Sequence, residues 1–273
     1  MHYFQLSITI ANDETRELLI AALAENGIEG FEEADDAIKA FVAEADYQED
    51  AIAAVLAQFG LSATIETIAP TNWNAQWEAD FDPVVVADFC TIRAHFHQLP
   101  IHTRHDIVIT PKMSFGTGHH ATTRLMVEQM EHLSFTAKRV LDFGTGTGIL
   151  AILAEQLGAA EVIAIDNDEW SFENAQENLQ LNHCHAVQVS MDDIEQLDAT
   201  QLFDIVLANI NRHILLAYMA NMYTLLKGGA TLLMSGLLVE DETIVTQAAM
   251  EAGFQVEKVV ALNNWITILC RKP

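Results

Sequence analysis

Apolar and polar residues alternate at the start of the chain and predict a half-buried strand. Apolar side chains occupy every second position from Phe4 to Ile10, the two-residue period of a strand with one face in a core. Helix-period stretches follow at 13–27, where Asn12 or Asp13 can cap the helix, and at 50–60; each ends at a glycine. Strands are expected within 30–46 and at 64–68. The resulting order β-α-β-β-α-β over residues 1–70 is that of a ferredoxin-like unit.

A second pattern begins at Arg139, where apolar strands alternate with amphipathic helices. This alternation predicts a mostly parallel α/β sheet with both faces covered. The last two strands have no helix between them and predict a terminal hairpin. Shorter strands are expected before the sheet, at Val84–Val86 and Ile107–Ile109. The strands predicted for the sheet are 139–143, 161–165, 186–189, 203–208, 229–234, 254–261 and 264–270.

The residues between these patterns predict a short connecting helix at 71–82. Trp73 and Trp77 are four residues apart and would share one face of that helix. The chain is therefore interpreted as a small N-terminal domain at 1–70, a linker helix at 71–82 and a larger domain at 83–273.

A glycine-rich turn follows the first strand of the larger domain and is the most informative motif. Gly144, Gly146 and Gly148 alternate with threonines, directly after Asp142. Glycines let the backbone approach a ligand closely, and Asp166, at the end of the next strand, is placed to accept hydrogen bonds from ribose hydroxyls. The motif predicts a nucleoside site, with Asp142 orienting the turn or meeting an ammonium group of the ligand.

The spacing of these glycines selects among nucleoside cofactors. A dinucleotide fingerprint needs G-x-G-x-x-G, but Ile149 stands at its third glycine position. The spacing G-x-G-x-G is similar to the first motif of S-adenosylmethionine-dependent methyltransferases with a Rossmann-like fold. A nicotinamide-dependent reductase and a non-catalytic binding module with the same fold are the alternatives.

Asn209 ends the fourth strand of the predicted sheet and is the candidate catalytic residue. Ligands of open α/β sheets lie beyond the carboxyl ends of the strands. An amide oxygen there can accept a hydrogen bond from a substrate amine and aim the amine lone pair at a methyl group. The residues Ile210 and Asn211 depart from the N-P-P-Y motif of other amine methyltransferases. A simple turn-forming role for Asn209 is the alternative reading.

Two further segments are candidates for ligand contacts. In the loop at 110–123, Phe115 could lie over a bound ligand, and Thr122 or Thr123 could bind the carboxylate end of the cofactor. Asp192 or Asp193, after the third strand, could approach an adenine amino group or could cap a helix. The neighbouring histidines of the loop do not predict a metal site, since adjacent helical residues do not face the same way.

Composition and charge restrict the partners. The formal net charge is −26, and residues 1–70 contain fourteen acidic but only two basic residues. This balance disfavours a nucleic-acid partner and suits a basic protein, although solubility alone would also explain it. No apolar run predicts a membrane span or a secretory signal, and three scattered cysteines predict neither disulfides nor zinc. A cytoplasmic location is the simplest expectation.

Taken together, the motifs resemble those of the bacterial ribosomal protein L11 methyltransferases of the PrmA type. The resemblance is strongest from about 110 to 240. The departures are Ala121, where the family usually has proline, and the acidity of residues 1–70. The motifs that carry it are Phe115-Gly116-Thr117-Gly118-His119 with Thr122-Thr123, Asp142 to Gly148, Ala208-Asn209-Ile210, and Leu226-Lys227-Gly228-Gly229 with Ser235-Gly236.

The resemblance implies a fold, a cofactor and a reaction. The fold would be a Rossmann-like seven-stranded methyltransferase sheet preceded by a small ferredoxin-like α+β domain that recognises the substrate. The reaction would transfer methyl groups from S-adenosylmethionine to lysine and N-terminal amines of a basic ribosomal protein, without nucleic acid, membrane or metal. The cofactor contacts implied by matching positions are Thr123, Gly144, Asp166 and Asn209. The alternative is a methyltransferase acting on RNA or on a small-molecule amine.

Overall fold

A computed structural model describes residues 3–10, 13–28, 30–34, 36–68, 81–112, 116 and 118–273. The chain divides into two compact units, residues 1–80 and 81–273, which are described separately. Within the described ranges, no helix has the length and apolar character needed to cross a membrane.

In its described residues, the first unit is a four-stranded antiparallel sheet with two helices. The strands lie in the order β2-β3-β1-β4, so that β1 pairs with both β3 and β4. The predicted sequence of elements is observed. In chain order the elements are β1 (Tyr3–Thr9), α1 (Asp13–Ala24), β2 (Gly30–Ala34), β3 (Ala37–Ala43), α2 (Glu49–Gln58) and β4 (Ala63–Ile68).

The alternation in β1 arises because one face of this sheet packs on the helices. Leu6 and Ile8 are fully buried, and Ile8 lies opposite Ile38 of β3. They share a core with Leu19 of α1 and Ile52 of α2. The side chains between them point to the opposite face of the sheet.

The second unit contains a three-stranded sheet and a seven-stranded sheet with five helices around them. The small sheet has the order β5-β6-β7 and the large sheet the order β10-β9-β8-β11-β12-β14-β13. The elements are β5 (Val84–Val86), β6 (Cys90–Ala94), β7 (His105–Ile109), α3 (Ala121–Met130), β8 (Arg139–Phe143), α4 (Ile149–Gln156), β9 (Glu161–Ile165), α5 (Glu169–Leu181), β10 (Val187–Ser190), β11 (Phe203–Asn209), α6 (Arg212–Leu225), β12 (Leu226–Leu238), α7 (Glu242–Glu251), β13 (Gln255–Leu262) and β14 (Trp265–Arg271).

Strand order in the large sheet confirms the mostly parallel α/β prediction. β10, β9, β8, β11 and β12 are parallel, whereas β14 is antiparallel to both β12 and β13. The chain runs outward from β8 in one direction and from β11 in the other. Their adjacent carboxyl ends therefore form a topological switch point, the place where open α/β sheets bind ligands.

Two hydrophobic cores cover the two faces of the large sheet. Helices α3, α4 and α5 contribute Met126, Leu153 and Leu179 to one core. Helices α6 and α7 contribute Met222 and Val245 to the other. Strands buried on both faces contain continuous apolar runs, which is why the sequence pattern located them well.

Two features of this unit differ from the sequence expectation. Strand β6 (Cys90–Ala94) was not predicted; four of its five residues are buried, so it lacks the alternation that marks a half-buried strand. Phe81 and Asp82, the last residues of the predicted linker helix, have no helical structure, and residues 71–80 of that prediction lie outside the described ranges.

Candidate active site

A cavity of about 620 Å³ opens at the switch point between β8 and β11. Its volume is in the range of small-molecule sites. We call it the strand-end cavity. Its lining residues come from the loop before α3 and the start of α3, from the ends of β8 to β12, from the helices that follow β8, β9 and β11, and from the start of β14. They include Gly116, His120, Thr122, Thr123, Gly144, Gly146, Thr147, Asp166, Asp192, Asp193, Asn209, Ile210, Tyr218, Gly236 and Trp265.

The glycine turn after β8 forms one wall of the strand-end cavity. Gly144 and Gly146 line the cavity, and both have positive φ angles, +73° and +54°. The Gly144 N–H donates to the Ile165 carbonyl at 2.9 Å, and the Gly146 N–H donates to Asp166 Oδ2 at 2.9 Å. The turn is therefore held against the end of β9 by backbone donors.

Gly148, the third glycine of the turn, has a different position. It is the N-cap of α4 with φ +82°, and a β-carbon there would lie 3.5 Å from Ala175 Cβ. Gly148 is not among the residues that line the strand-end cavity. The structure therefore gives it a helix-start and packing position, where the sequence had suggested a ligand contact.

Asp166 lies at the end of β9 and faces the strand-end cavity. Its two carboxylate oxygens each accept one backbone hydrogen bond, from Gly146 at 2.9 Å and from Asp168 at 3.1 Å. A carboxylate has about four acceptor positions, so two remain for a ligand. Asp168 itself caps α5 by accepting from the Ser171 N–H at 2.8 Å.

Asp142 is fully buried behind the glycine turn and does not line the strand-end cavity. The Thr145 hydroxyl donates to Asp142 Oδ2 at 2.6 Å, whereas Oδ1 is buried with no hydrogen-bond partner. Burial, with a further contribution from nearby Asp166, raises the pKa of Asp142 to about 7. The Thr145 hydrogen bond ties Asp142 to the glycine turn, and both roles considered for Asp142, orienting the turn and meeting a ligand ammonium, stay predictions.

Asn209, the last residue of β11, lines the strand-end cavity. Its amide Nδ2 donates to the Thr123 hydroxyl at 3.4 Å, and both residues line the cavity. Asn209 Oδ1 is buried and has no hydrogen-bond partner among the described residues. A buried amide oxygen without a partner is costly, so this atom is a candidate to accept from a ligand.

The residues before α3 form a further wall of the strand-end cavity, in contact with the glycine turn. His120 is the N-cap of α3, where its Nδ1 contacts the Thr122 hydroxyl at 2.8 Å. Gly116, with φ +105°, presents its carbonyl to the Thr147 hydroxyl at 2.6 Å. Phe115 lies outside the described residues, so its predicted position over the ligand stays a prediction.

Trp265, which sequence reasoning missed, completes the wall beside His120. The two rings are 4.5 Å apart in an edge-to-face arrangement, and both line the strand-end cavity. Burial lowers the pKa of His120, so its ring is neutral near pH 7. Trp265 begins the last strand, far from the motifs along the chain, and no local pattern marks it.

The acidic residues after β10 lie at the far end of the strand-end cavity. Both Asp192 and Asp193 line it, so the sequence alternatives are both present at the site. The Tyr218 hydroxyl donates to Asp193 Oδ2 at 3.2 Å, and Asp193 Oδ1 is buried without a partner. Tyr218, from α6, was not singled out by the sequence.

The charges of the strand-end cavity all have one sign. Asp166, Asp192 and Asp193 line it, and no lysine or arginine stands among the described lining residues. Such a cavity favours a ligand with positive charge.

Comparison with known proteins agrees with this architecture. The family model described as ribosomal protein L11 methyltransferase (PrmA) matches residues 3–273. The chain belongs to this family. Among its relatives, the ribosomal protein L11 methyltransferase of Phocaeicola vulgatus is 35% identical, over 98% of this chain and 98% of the relative. That of Porphyromonas gingivalis is 40% identical, over 92% of this chain and 89% of the relative.

A solved structure gives the same result at the level of the fold. The ribosomal protein L11 methylase from Lactobacillus delbrueckii subsp. bulgaricus superposes with a TM-score of 0.65 and 28% identity, covering 71% of this chain and 100% of that chain. As a member of the ribosomal protein L11 methyltransferase family, the chain is an S-adenosylmethionine-dependent methyltransferase with a mixed central sheet. The resemblance found in its motifs is confirmed.

Proposed function

We propose that this enzyme methylates lysine and N-terminal amines of ribosomal protein L11 and that the reaction takes place in the strand-end cavity. The observation that carries the site assignment is Asn209, whose buried Oδ1 has no protein partner at the end of β11. A substrate amine that donates to this oxygen would gain a hydrogen bond that the free enzyme lacks.

The remaining residues of the strand-end cavity fit S-adenosylmethionine. Two acceptor positions on Asp166 suit the two ribose hydroxyls, and the Gly144–Gly146 turn allows close approach. Thr123, already hydrogen-bonded to Asn209, is placed for the carboxylate end of the cofactor. The one-sided negative charge of the cavity suits a molecule that carries a sulfonium.

When bound, S-adenosylmethionine supplies an electrophilic methyl group. The amine nitrogen forms a bond to that methyl carbon as the carbon–sulfur bond breaks, and the sulfur keeps the electron pair. A lysine is mostly protonated near pH 7, so the ammonium must first lose a proton to water. Asn209 would then hold the neutral amine by one N–H and orient its lone pair, so that orientation supplies much of the acceleration.

We further propose that residues 1–70 form a ferredoxin-like substrate-recognition domain. The support is the antiparallel order β2-β3-β1-β4 with two helices and the excess of twelve negative charges in this segment. Opposite charge would speed association with a basic ribosomal protein. Residues 71–82 would connect this domain to the methyltransferase domain at 83–273, and the enzyme would work in the cytoplasm.

A labelling experiment tests this function. The enzyme is mixed with methyl-labelled S-adenosylmethionine and with purified L11, protein-free ribosomal RNA or free lysine. Label in L11 alone, located by mass spectrometry on lysine and N-terminal amines, is the expected result. Label in RNA or in free lysine, with L11 unlabelled, would contradict the proposal and favour the alternatives.

The Asn209→Ala variant provides the site control for this assay. It should bind the cofactor but transfer little label to L11. Asn182→Ala is a suitable comparison, because Asn182 bonds to Val108 of the small sheet and lies outside the strand-end cavity. Full labelling by Asn209→Ala would show that the chemistry takes place elsewhere.

A further inference from the structure

Two histidines hold the backbone where the second unit begins. His97 Nε2 donates to the Phe81 carbonyl at 2.6 Å, and His119 Nε2 donates to the Asp82 carbonyl at 2.8 Å. Phe81 is the first residue of the unit 81–273. These two hydrogen bonds therefore fix the point at which the chain enters the methyltransferase unit.

Aromatic contacts hold the Phe81 side chain at the same point. Its ring stacks on His97, with centroids 6.1 Å apart and an interplanar angle of 26°. It also meets His119 edge-on, with centroids 4.7 Å apart. Such edge-on pairs contribute beyond simple burial, so ring and backbone are fixed together.

The His97 side of this arrangement belongs to the rigid frame of the small sheet. Its Nδ1 accepts from the Ala94 N–H at 3.1 Å, which places the hydrogen on Nε2, where it is needed for Phe81. Arg93 donates to the His97 carbonyl at 3.1 Å and forms a paired contact with Asp106 across β6 and β7. His97 is thus held in place by the small sheet and in turn holds Phe81.

The His119 side adjoins residues that line the strand-end cavity. His119 is adjacent to His120, which caps α3 and lines the cavity. Gly118, on its other side, is packed so closely that a β-carbon there would lie 3.2 Å from Ile92. On the same approach to α3, the Gly116 carbonyl accepts from Thr147 of the glycine turn at 2.6 Å.

We propose that His119 is a positioning residue that couples the backbone at Phe81–Asp82 to the cofactor site. A displacement at Asp82 would act through the His119 ring on the residues that start α3 and thereby on the affinity of the strand-end cavity. By thermodynamic linkage, cofactor binding must in turn tighten the contact at Phe81–Asp82. This inference rests on the proposed cofactor position.

Cofactor affinity provides the first test. Calorimetry with S-adenosylmethionine should show about fivefold or greater weakening in His119→Ala, the lower range of ordinary coupling. His132→Ala, which changes an exposed histidine outside the cavity, should stay within about twofold of the wild type. His119→Gln keeps an N–H donor and should recover most of the affinity. Unchanged affinity in His119→Ala would overturn the proposal.

The reciprocal effect, that of cofactor binding on the backbone at Phe81–Asp82, provides a second test. A His119 that only stabilised the fold would not produce this effect. In the wild type, saturating S-adenosylhomocysteine should slow amide hydrogen exchange in the peptide that contains Phe81 to Val86. In His119→Ala, at saturation, that slowing should disappear while the peptide with the glycine turn is still protected. Equal slowing in both proteins, or none in the wild type, would overturn the coupling. Absence of any binding by the wild type would instead overturn the proposed function.

Discussion

The side chain of Ile210 occupies the space that a β-carbon on Gly144 would need. Gly144 also has φ +73°, a conformation that side chains with a β-carbon rarely adopt. Glycine at this position is thus required by the packing of two neighbouring strand ends, in addition to any approach of a ligand.

Gly144→Ala should therefore destabilise the protein by two separate effects. Backbone strain costs about 1–2 kcal/mol, and overpacking against Ile210 adds about 1–3 kcal/mol. Gly229→Ala is the matched control, because Gly229 has φ +76° but no atom within 4 Å of the added carbon. Urea unfolding should show the larger loss for Gly144→Ala and partial recovery in Gly144→Ala/Ile210→Ala. Equal losses of stability in Gly144→Ala and Gly229→Ala would show that the Ile210 side chain does not destabilise Gly144→Ala.

Asp142 should make the stability of the free enzyme depend on pH. Burial raises its pKa from 3.8 to about 7, so the folded protein keeps a proton that the unfolded chain releases near pH 4. The folded state binds more protons in this window, and the free energy of unfolding falls as pH rises from about 4 to 7. The contribution of the protonated Asp142 carboxyl to the free energy of unfolding is fully present below pH 4 and is lost above pH 7.

Comparison with Asp142→Asn isolates this contribution. The variant should gain stability relative to the wild type as pH rises, by about 1 kcal/mol per pH unit between pH 5 and 7. Unfolding is measured in urea without cofactor. Asp88→Asn, whose side chain is 82% exposed, is the control and should follow the wild type. A constant difference between Asp142→Asn and the wild type would mean that the carboxyl ionises normally.

Variants of Asn209 and Asp166 should affect different quantities, turnover in one case and cofactor affinity in the other. If Asn209 orients the substrate amine, Asn209→Ala should lower kcat about a hundredfold with little change in cofactor affinity. If Asp166 holds the ribose, Asp166→Ala should mainly weaken cofactor binding, since it removes hydrogen bonds to a charged group. Steady-state kinetics and calorimetry measure the two quantities. Equal effects of both variants on cofactor binding would contradict these roles.

Asn178 of α5 should be a sensitive residue, because it joins α5 to the residue after β7 and to the glycine turn. It is fully buried, accepts from the Thr110 N–H at 2.8 Å and donates to the Thr147 carbonyl at 2.8 Å. Asn178→Ala leaves the Thr110 N–H and the buried Thr147 carbonyl without this partner and should cost about 2–4 kcal/mol. Asn174→Ala should cost less, because Asn174 makes one such bond and its Oδ1 is already without a partner. Thermal unfolding of both variants checks the order.

Higher salt should weaken binding of the protein substrate more than binding of the cofactor. If the excess acidic residues of 1–70 attract the basic substrate as proposed, ionic strength screens that attraction. Raising salt from about 50 to 500 mM should increase the KM for L11 severalfold. A short lysine peptide too small to dock is the control and should respond less. Equal salt dependence of protein and peptide would argue against docking by these residues.

Local sequence patterns were sufficient to predict the parts of the site that are contiguous in the chain. The glycine turn, Asp166 and Asn209 each follow an apolar strand, and the parallel sheet brings the ends of those strands to one edge. Their meeting at the strand-end cavity follows from the order of the elements. Whether each contacts the cofactor as proposed stays a prediction.

Other parts of the site depend on contacts between distant segments and could not be predicted. Trp265 and Tyr218 reach the strand-end cavity only because β14 inserts beside β12 and α6 packs over β11. His119 bonds to the carbonyl of Asp82, which lies 37 residues earlier in the sequence. At Gly148, the motif suggested a ligand contact, and the structure adds a second reason for glycine, the φ of +82° at the start of α4.

The uniform negative charge of the strand-end cavity has a consequence for the end of the catalytic cycle. Methyl transfer converts a sulfonium into an uncharged thioether, so the spent cofactor has one positive charge fewer than the molecule that entered. In the proposed binding position, Asp166, Asp192 and Asp193 would then attract it less strongly. The enzyme would therefore exchange spent for fresh cofactor through this difference in charge, without having to recognise the missing methyl group by shape.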